Sequence, residues 1–258
     1  MNILMAGDIV GGVGRRAFAK VVREYKERGR ADFVVANAEN AAGGKGLTGV
    51  LAEELFAAGA DVLTLGDHAW DQKELSGYLQ GERRLLRPAN FAPGCPGRGH
   101  VTVESGQGKV TVINLVGRTF MRPSDCPFRA VDAILSAPEA RGRIVLVDMH
   151  AEATSEKIAM GRYLDGRVTC VAGTHTHVQT SDETVLPHGT AYLTDLGMTG
   201  PKDSVLGRET ESVLFMIKTG MHAAFKVAKR DPVLEGLWLD VDMATGAVRG
   251  LRRVRAAG

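Results

Sequence analysis

Seven metal-competent side chains stand where apolar runs of this sequence end. Asp8 follows NILMAG, Glu39 and Asn40 follow FVVANA, Asp67 follows VLTLG, His150 follows RIVLVDM, and His175 and His177 follow RVTCVAG. An eighth residue, His68, adjoins Asp67. Any one of them has an ordinary structural explanation, because an Asp or Asn after a strand commonly makes a turn or caps a helix. As a set they are hard to explain that way. Four of the seven histidines lie at run ends beside three carboxylates and an amide. Oxygen and imidazole donors without thiolates suit Mn²⁺, Fe or Zn²⁺, and the number of donors matches a two-metal site. A bridging carboxylate has to hold two such ions together, and Glu39 is the natural candidate. The THTH run places His175 and His177 two residues apart, on one face if the chain is still extended there and in a polar loop otherwise.

Scattered over some 170 positions, these residues need a scaffold that gathers strand ends. Short β-rich runs occur at 2–6, 33–38, 62–66, 109–116, 143–149, 167–173 and 190–195. Stretches of helical period lie between them at 15–28, 48–58, 71–80, 127–137, 152–164 and 208–219. Alternating strand and helix imply an α/β layered fold, and the carboxyl ends of its strands form the ligand crevice. HVTVES and KVTVINLV, separated by GQG, read as an antiparallel hairpin, as do GLWLDVDM and AVRGLRRV around ATG, so the sheets are expected to be mixed. No repeat or linker divides the chain, and NFAPGCPGRGH at 90–100 reads as a loop within one domain spanning 1–258.

Composition narrows the functions. The 258 residues are 44% hydrophobic and 24% charged, with a net charge of +2. A balance so close to neutral argues against a general nucleic-acid or anionic-membrane partner, so an anionic ligand has to be met locally. No apolar run approaches the ~20 residues that span a bilayer, and Met1 leads directly into NILMAGD rather than a signal segment, which makes the cytoplasm the expected compartment. Cys95, Cys126 and Cys170 show no CxxC spacing and read as reduced and structural. The glycines of GDIVGGVGRR do not give GxGxxG, and Asp8 would repel a pyrophosphate. We read Gly11, Gly12 and Gly14 as allowing close backbone approach to the metal centre and aiming a helix from Arg15 at it.

GDIVGG, NAENAAGGKG, LGDHAWD, NLVGRTFM, DMHAEATSEK, GTHTHVQTSD and TDLGMTGPKDSVLG, in that order from Met1 to about Gly207, resemble the successive signatures of the YmdB-type metallophosphoesterases, a branch of the calcineurin-like superfamily. The resemblance implies a four-layer α/β/β/α sandwich of mixed sheets. It implies two metal ions, Fe or Mn with Zn or Mg also compatible, and a homo-oligomer. It also implies phosphodiesterase activity towards cyclic nucleotides, 2′,3′-cyclic AMP in particular. Asp8, Glu39, Asn40 and His177 would then hold one ion, and Glu39 would bridge to a second held by Asp67, His150 and His175. Attack would come from a metal-bridging hydroxide, with His68 as the general acid. The family block reads GNH where this chain has GDH, and the extra charge of Asp67 would lower Lewis acidity and favour a charged His68. A phosphomonoesterase or nuclease on the same scaffold, and a nucleotide-binding regulator with low turnover, stand as alternatives. Glu152, Ser155 and Glu156 read as first-turn acids and caps of a helix, with support of His150 as the functional alternative.

Overall fold

In the computed structural model, which describes residues 1–137 and 143–258, strands and helices alternate along most of the chain. The strands are β1 (Asn2–Ala6), β2 (Asp8–Ile9), β3 (Phe33–Asn37), β4 (Val62–Thr64), β5 (Leu85–Leu86), β6 (His100–Ser105), β7 (Gly108–Val116), β8 (Ile144–His150), β9 (Cys170–Thr174), β10 (Thr184–Val185), β11 (Ala191–Leu193), β12 (Met198–Pro201), β13 (Pro232–Val241) and β14 (Val248–Ala257). The helices are α1 (Gly11–Glu27), α2 (Gly49–Ala57), α3 (Leu75–Gly81), α4 (Pro127–Ser136), α5 (Thr154–Tyr163) and α6 (Thr210–Thr219). Among the described residues no helix is long and apolar enough to cross a membrane.

Two mixed sheets result. One runs β2-β12-β13-β1-β3-β4-β5 with β14 added to β13, and the other runs β10-β11-β9-β8-β7-β6. Side-chain alternation along the strands assigns each sheet two faces. Ile3 and Met5 of β1 and Ile144 and Leu146 of β8 meet in the core between the sheets. Leu4 and Ala6 turn outward to a core shared with Phe18, Val21 and Val22 of α1 and Leu55 of α2. Val145, Val147 and Met149 turn to the opposite outer face, against Val131 of α4 and Met160 of α5. These three cores stack four layers, α/β/β/α. Helix α1 buries Val13, Ala17, Phe18, Val21 and Val22, a stripe with the three-to-four-residue period of one helix face.

Parallel pairing gives the molecule its working edge. β1, β3 and β4 are parallel neighbours in the first sheet, and β7, β8 and β9 in the second. Their carboxyl ends bring the candidate residues to one side. The two anticipated hairpins form as β6/β7 and β13/β14, both antiparallel. The C-terminal arginines lie on β14, where Arg249 pairs with Asp240 and Arg253 with Glu183.

The packing separates the roles of the first glycines. Helix α1 starts at Gly11, not near Arg15, and a Cβ on Gly14 would strike the Thr199 carbonyl of β12, while one on Gly11 would meet Val227. Gly14 thus seats the helix on the sheet, while the Gly11 N–H donates to the Asn40 carbonyl at 3.0 Å, beside the candidate centre. The glycine that admits the candidate centre is Gly66, where a Cβ would collide with the His150 imidazole and the Glu39 carboxylate.

Candidate metal centre

Glu39, Asp67, His150 and His175 each offer a donor atom within 4.8 Å of the others'. His150 Nε2 lies 3.1 Å from Glu39 Oε1, 3.1 Å from Asp67 Oδ1 and 3.1 Å from His175 Nδ1, and His175 Nδ1 lies 3.4 Å from Asp67 Oδ1. Donors each ~2.1 Å from one ion are about 3.0–3.5 Å apart, so these separations are those of a coordination shell. Asp8, Asn40 and His177 form an adjoining group. Asn40 Nδ2 is 3.3 Å from both Glu39 Oε1 and His177 Nε2, and His177 Nε2 is 3.7 Å from Asp8 Oδ1. Half a turn of the Asn40 amide would present its oxygen at the same place. Glu39 touches both groups.

Two further observations show that a cation fits. Asp8 Oδ1 is fully buried and has no hydrogen-bond partner, an expensive condition for a carboxylate oxygen unless a positive charge meets it. The electrostatics point the same way. Burial opposes charge on His150, yet the Glu39 carboxylate and the Asp67 and Glu39 hydrogen bonds outweigh it and raise His150 well above the usual imidazole range. Burial likewise pushes Asp67 up, but hydrogen bonds from His150 and His175 hold it well below the usual carboxylate range. The cluster favours a positive charge at its middle.

The candidate ligands are held by a surrounding set of partners. Thr174 donates its hydroxyl proton to Asp148 Oδ1 at 2.6 Å, so its oxygen accepts from His150 Nδ1 at 2.9 Å. That fixes the tautomer and leaves Nε2 for the centre. His177 Nδ1 similarly donates to the Leu206 carbonyl at 3.2 Å. His175 uses Nδ1 towards the centre, while its Nε2 pairs with Glu152 Oε2 at 3.0 Å. Glu152 therefore precedes α5 and orients His175, not His150. Glu156 accepts from the backbone N–H groups of Arg118 and Thr119 instead of capping its own helix.

The extended reading of THTH is also corrected. Strand β9 ends at Thr174, and His175 and His177 adopt left-handed φ of 97° and 61°, so the two imidazoles leave in different directions, one to each group. Thr176 between them is pinned through its N–H and hydroxyl to Asp195 Oδ2, at 3.2 and 2.7 Å. The same oxygen receives Lys157 Nζ at 2.7 Å, in an ion pair almost wholly excluded from solvent. Neither Asp195 nor Lys157 is among the residues the sequence reading picked out. A lysine in a helix gives no sign that it is buried.

His68 stands at the edge of the centre. Its backbone N–H donates to Glu39 Oε2 at 3.0 Å, and its Nδ1 lies 2.7 Å from Asp71 Oδ2. The carboxylate hydrogen-bonded to this imidazole is thus Asp71, three residues on, while the Asp67 carboxylate is engaged by His150 and His175. A cavity of about 360 Å³ opens over Glu39, Asn40, His68, His175 and His177. Arg208 also lines it, donating to the Gly43 and Gly44 carbonyls and pairing with no carboxylate among the described residues.

Paired mixed sheets with carboxylates and imidazoles gathered at their carboxyl edge define an α/β scaffold able to hold a metal, and its relatives identify which one. Residues 4–254 match the model of the YmdB-like proteins. The 2′,3′-cyclic-nucleotide 2′-phosphodiesterase of Bacillus subtilis is 44% identical over 254 residues, which covers 98% of this chain and 96% of the relative. A crystal structure of a hypothetical protein from Thermus thermophilus superposes with a TM-score of 0.93 at 41% identity, covering 100% of this chain and 99% of that one. A crystal structure described as a novel phosphatase from Mycoplasma pneumoniae does so at 0.93 and 33% identity, covering 100% and 93%. The chain belongs to the YmdB-like family.

Proposed function

We propose that this protein is a metal-dependent phosphodiesterase that hydrolyses 2′,3′-cyclic nucleotides, 2′,3′-cyclic AMP among them, to 3′-monophosphates. The observation that carries the reading is the donor-lined cavity, found in a chain so similar to a relative named for that activity. Asp8, Glu39, Asn40 and His177 would hold one ion and Glu39, Asp67, His150 and His175 a second, with Fe or Mn best suited to this oxygen and imidazole set. When bound, two such ions neutralise charge on the phosphoryl oxygens and acidify a water.

The chain's own groups supply the rest. Asp71 holds His68 by Nδ1, which leaves Nε2 to serve the substrate. As the water oxygen bonds to phosphorus and the bond from phosphorus to the 2′-oxygen breaks, His68 Nε2 gives that oxygen its proton. The proton shed by the water then restores the imidazole. Arg208 adds a positive charge to the cavity lining for an anionic substrate.

The test is product analysis of 2′,3′-cyclic AMP with metal-stripped protein and with protein reloaded with Mn²⁺ or Fe²⁺. Metal-dependent release of 3′-AMP is expected. His68→Ala is expected to lower kcat by ~10² to 10⁴ with metal content intact. Full kcat in that variant would remove His68 from the acid role. Bound nucleotide and metal without turnover would replace the enzyme by a nucleotide-binding regulator.

A further inference from the structure

Besides the imidazoles and carboxylates, the cavity is lined by residues of a different kind, Val205, Leu206, Val213, Met216 and Phe225, with Arg208 beside them. None of these five apolar side chains carries a hydrogen-bond donor, and the Met216 thioether is at most a weak acceptor. Leu206 is 49% and Phe225 38% exposed, so large apolar groups face an open cavity instead of a core. At about 360 Å³ the space is within the range that holds a small organic ligand, and far larger than the ions need.

Leu206 ties this wall to the centre. Its φ of 49° is left-handed, unusual for a branched side chain, and its carbonyl in that conformation accepts from His177 Nδ1. One residue therefore orients a ligating imidazole with its backbone and lines the apolar wall with its side chain. Val213 and Met216, three apart on α6, add to the same surface, and Phe225 contributes an aromatic ring.

We propose that this wall is a nucleobase subsite that selects bases by apolar and stacking area and does not read their hydrogen-bonding edges. The inference rests on the cyclic-nucleotide reading above. The phosphate of such a substrate is bound to the donor-lined side, and its one flat, weakly polar part, the base, then faces the apolar side. A Phe ring and a thioether stack on any base face, purine more strongly than pyrimidine because more area is covered. With no donor and no strong acceptor among these five side chains, adenine and guanine are treated alike.

The test is calorimetric titration of the full-length, Mn²⁺-loaded protein with 3′-AMP, 3′-GMP, 3′-CMP and ribose 3-phosphate. The two purine nucleotides are expected to bind alike, more tightly than 3′-CMP, and about tenfold or more tighter than ribose 3-phosphate. Phe225→Ala is expected to shrink the ratio of 3′-AMP to ribose 3-phosphate affinity about tenfold. Leu206→Gly, a residue at ease with φ 49°, is expected to shrink it also and guards against misfolding of the first variant. Equal affinity for 3′-AMP and ribose 3-phosphate, a large preference between 3′-AMP and 3′-GMP, or unchanged ratios in both variants would overturn the subsite. So would a change in sedimentation without a change in the ratios, since a second copy would then be what covers the wall. Hydrolysis of 2′,3′-cyclic AMP is followed in parallel. Base discrimination without hydrolysis would end the phosphodiesterase reading and keep the subsite, while hydrolysis without discrimination would do the reverse.

Discussion

On one side of the cavity, side chains that face the centre are held by second partners. His150 is held by Thr174, His177 by the Leu206 carbonyl, His175 by Glu152, and the turn between His175 and His177 by Asp195 and Lys157. Among the other lining residues, the side chains of Leu206, Met216 and Phe225 have no polar group to be held in this way, and Leu206 and Phe225 are partly open to solvent. The difference follows from what each side has to do. Cations demand donors fixed to within a fraction of an ångström, and desolvated polar groups are tolerable only when every partner is present. An apolar wall tolerates looseness, because its attraction depends on area and not on direction.

The contrast is sharpest at the Lys157–Asp195 pair. Removing one member of a buried pair leaves the other charge stranded, at a cost of ~3–5 kcal/mol. Asp195→Ala is accordingly expected to lower unfolding free energy by about that much and to weaken Mn²⁺ binding as well, because Thr176 loses its acceptor and the left-handed turn at His175 and His177 loses its clamp. Denaturant unfolding and calorimetric metal titration read the two effects. If stability falls and metal affinity does not, the pair supports the fold alone and the ligands are positioned by something else.

The polar wall was also the more legible one. Its candidate ligands follow apolar runs whose length and flanks announce strands, so Asp8, Glu39, Asn40, Asp67, His150, His175 and His177 could be placed at strand ends from the order of residues alone. The alternation of strand and helix was legible too, but the count of four layers came only with the family resemblance, because β1 and β8 are buried on both faces and show no alternation in sequence. The partners were not. Asp71, Lys157, Asp195 and Thr174 are of types that usually face solvent, cap helices or fill turns, and only the three-dimensional packing shows which are buried, while Glu152, weighed as support for His150, holds His175 instead. β12, with the sequence MTGP, carries glycine and proline and so gives no strand signal. The apolar wall was invisible, because Leu206 lies in a turn and α6 has a periodicity that any surface helix would share.

A middle-sized effect isolates orientation from charge. Thr174→Val keeps the shape of the side chain but removes the hydroxyl that joins His150 Nδ1 to Asp148. Loss of such a partner typically costs 10–100-fold in metal affinity, and a drop of about that size is expected by calorimetry. A variant that binds Mn²⁺ as tightly as the parent would mean that the packing around the fully buried ring suffices to aim it.

The smallest effect is expected at the rim. Glu152 holds His175 Nε2 from outside, but it is 51% exposed, and an exposed ionic partner competes with water and salt. Glu152→Gln keeps a hydrogen-bond acceptor for the imidazole N–H and removes the charge. A fall in Mn²⁺ affinity of no more than about fivefold is expected, shrinking further as salt is raised, since the screening length is ~10 Å at 0.1 M. A loss as large as that of Thr174→Val, and independent of salt, would show that exposure is no guide to how firmly a partner aims its ligand, and the rim of the polar wall would have to be counted with its buried interior.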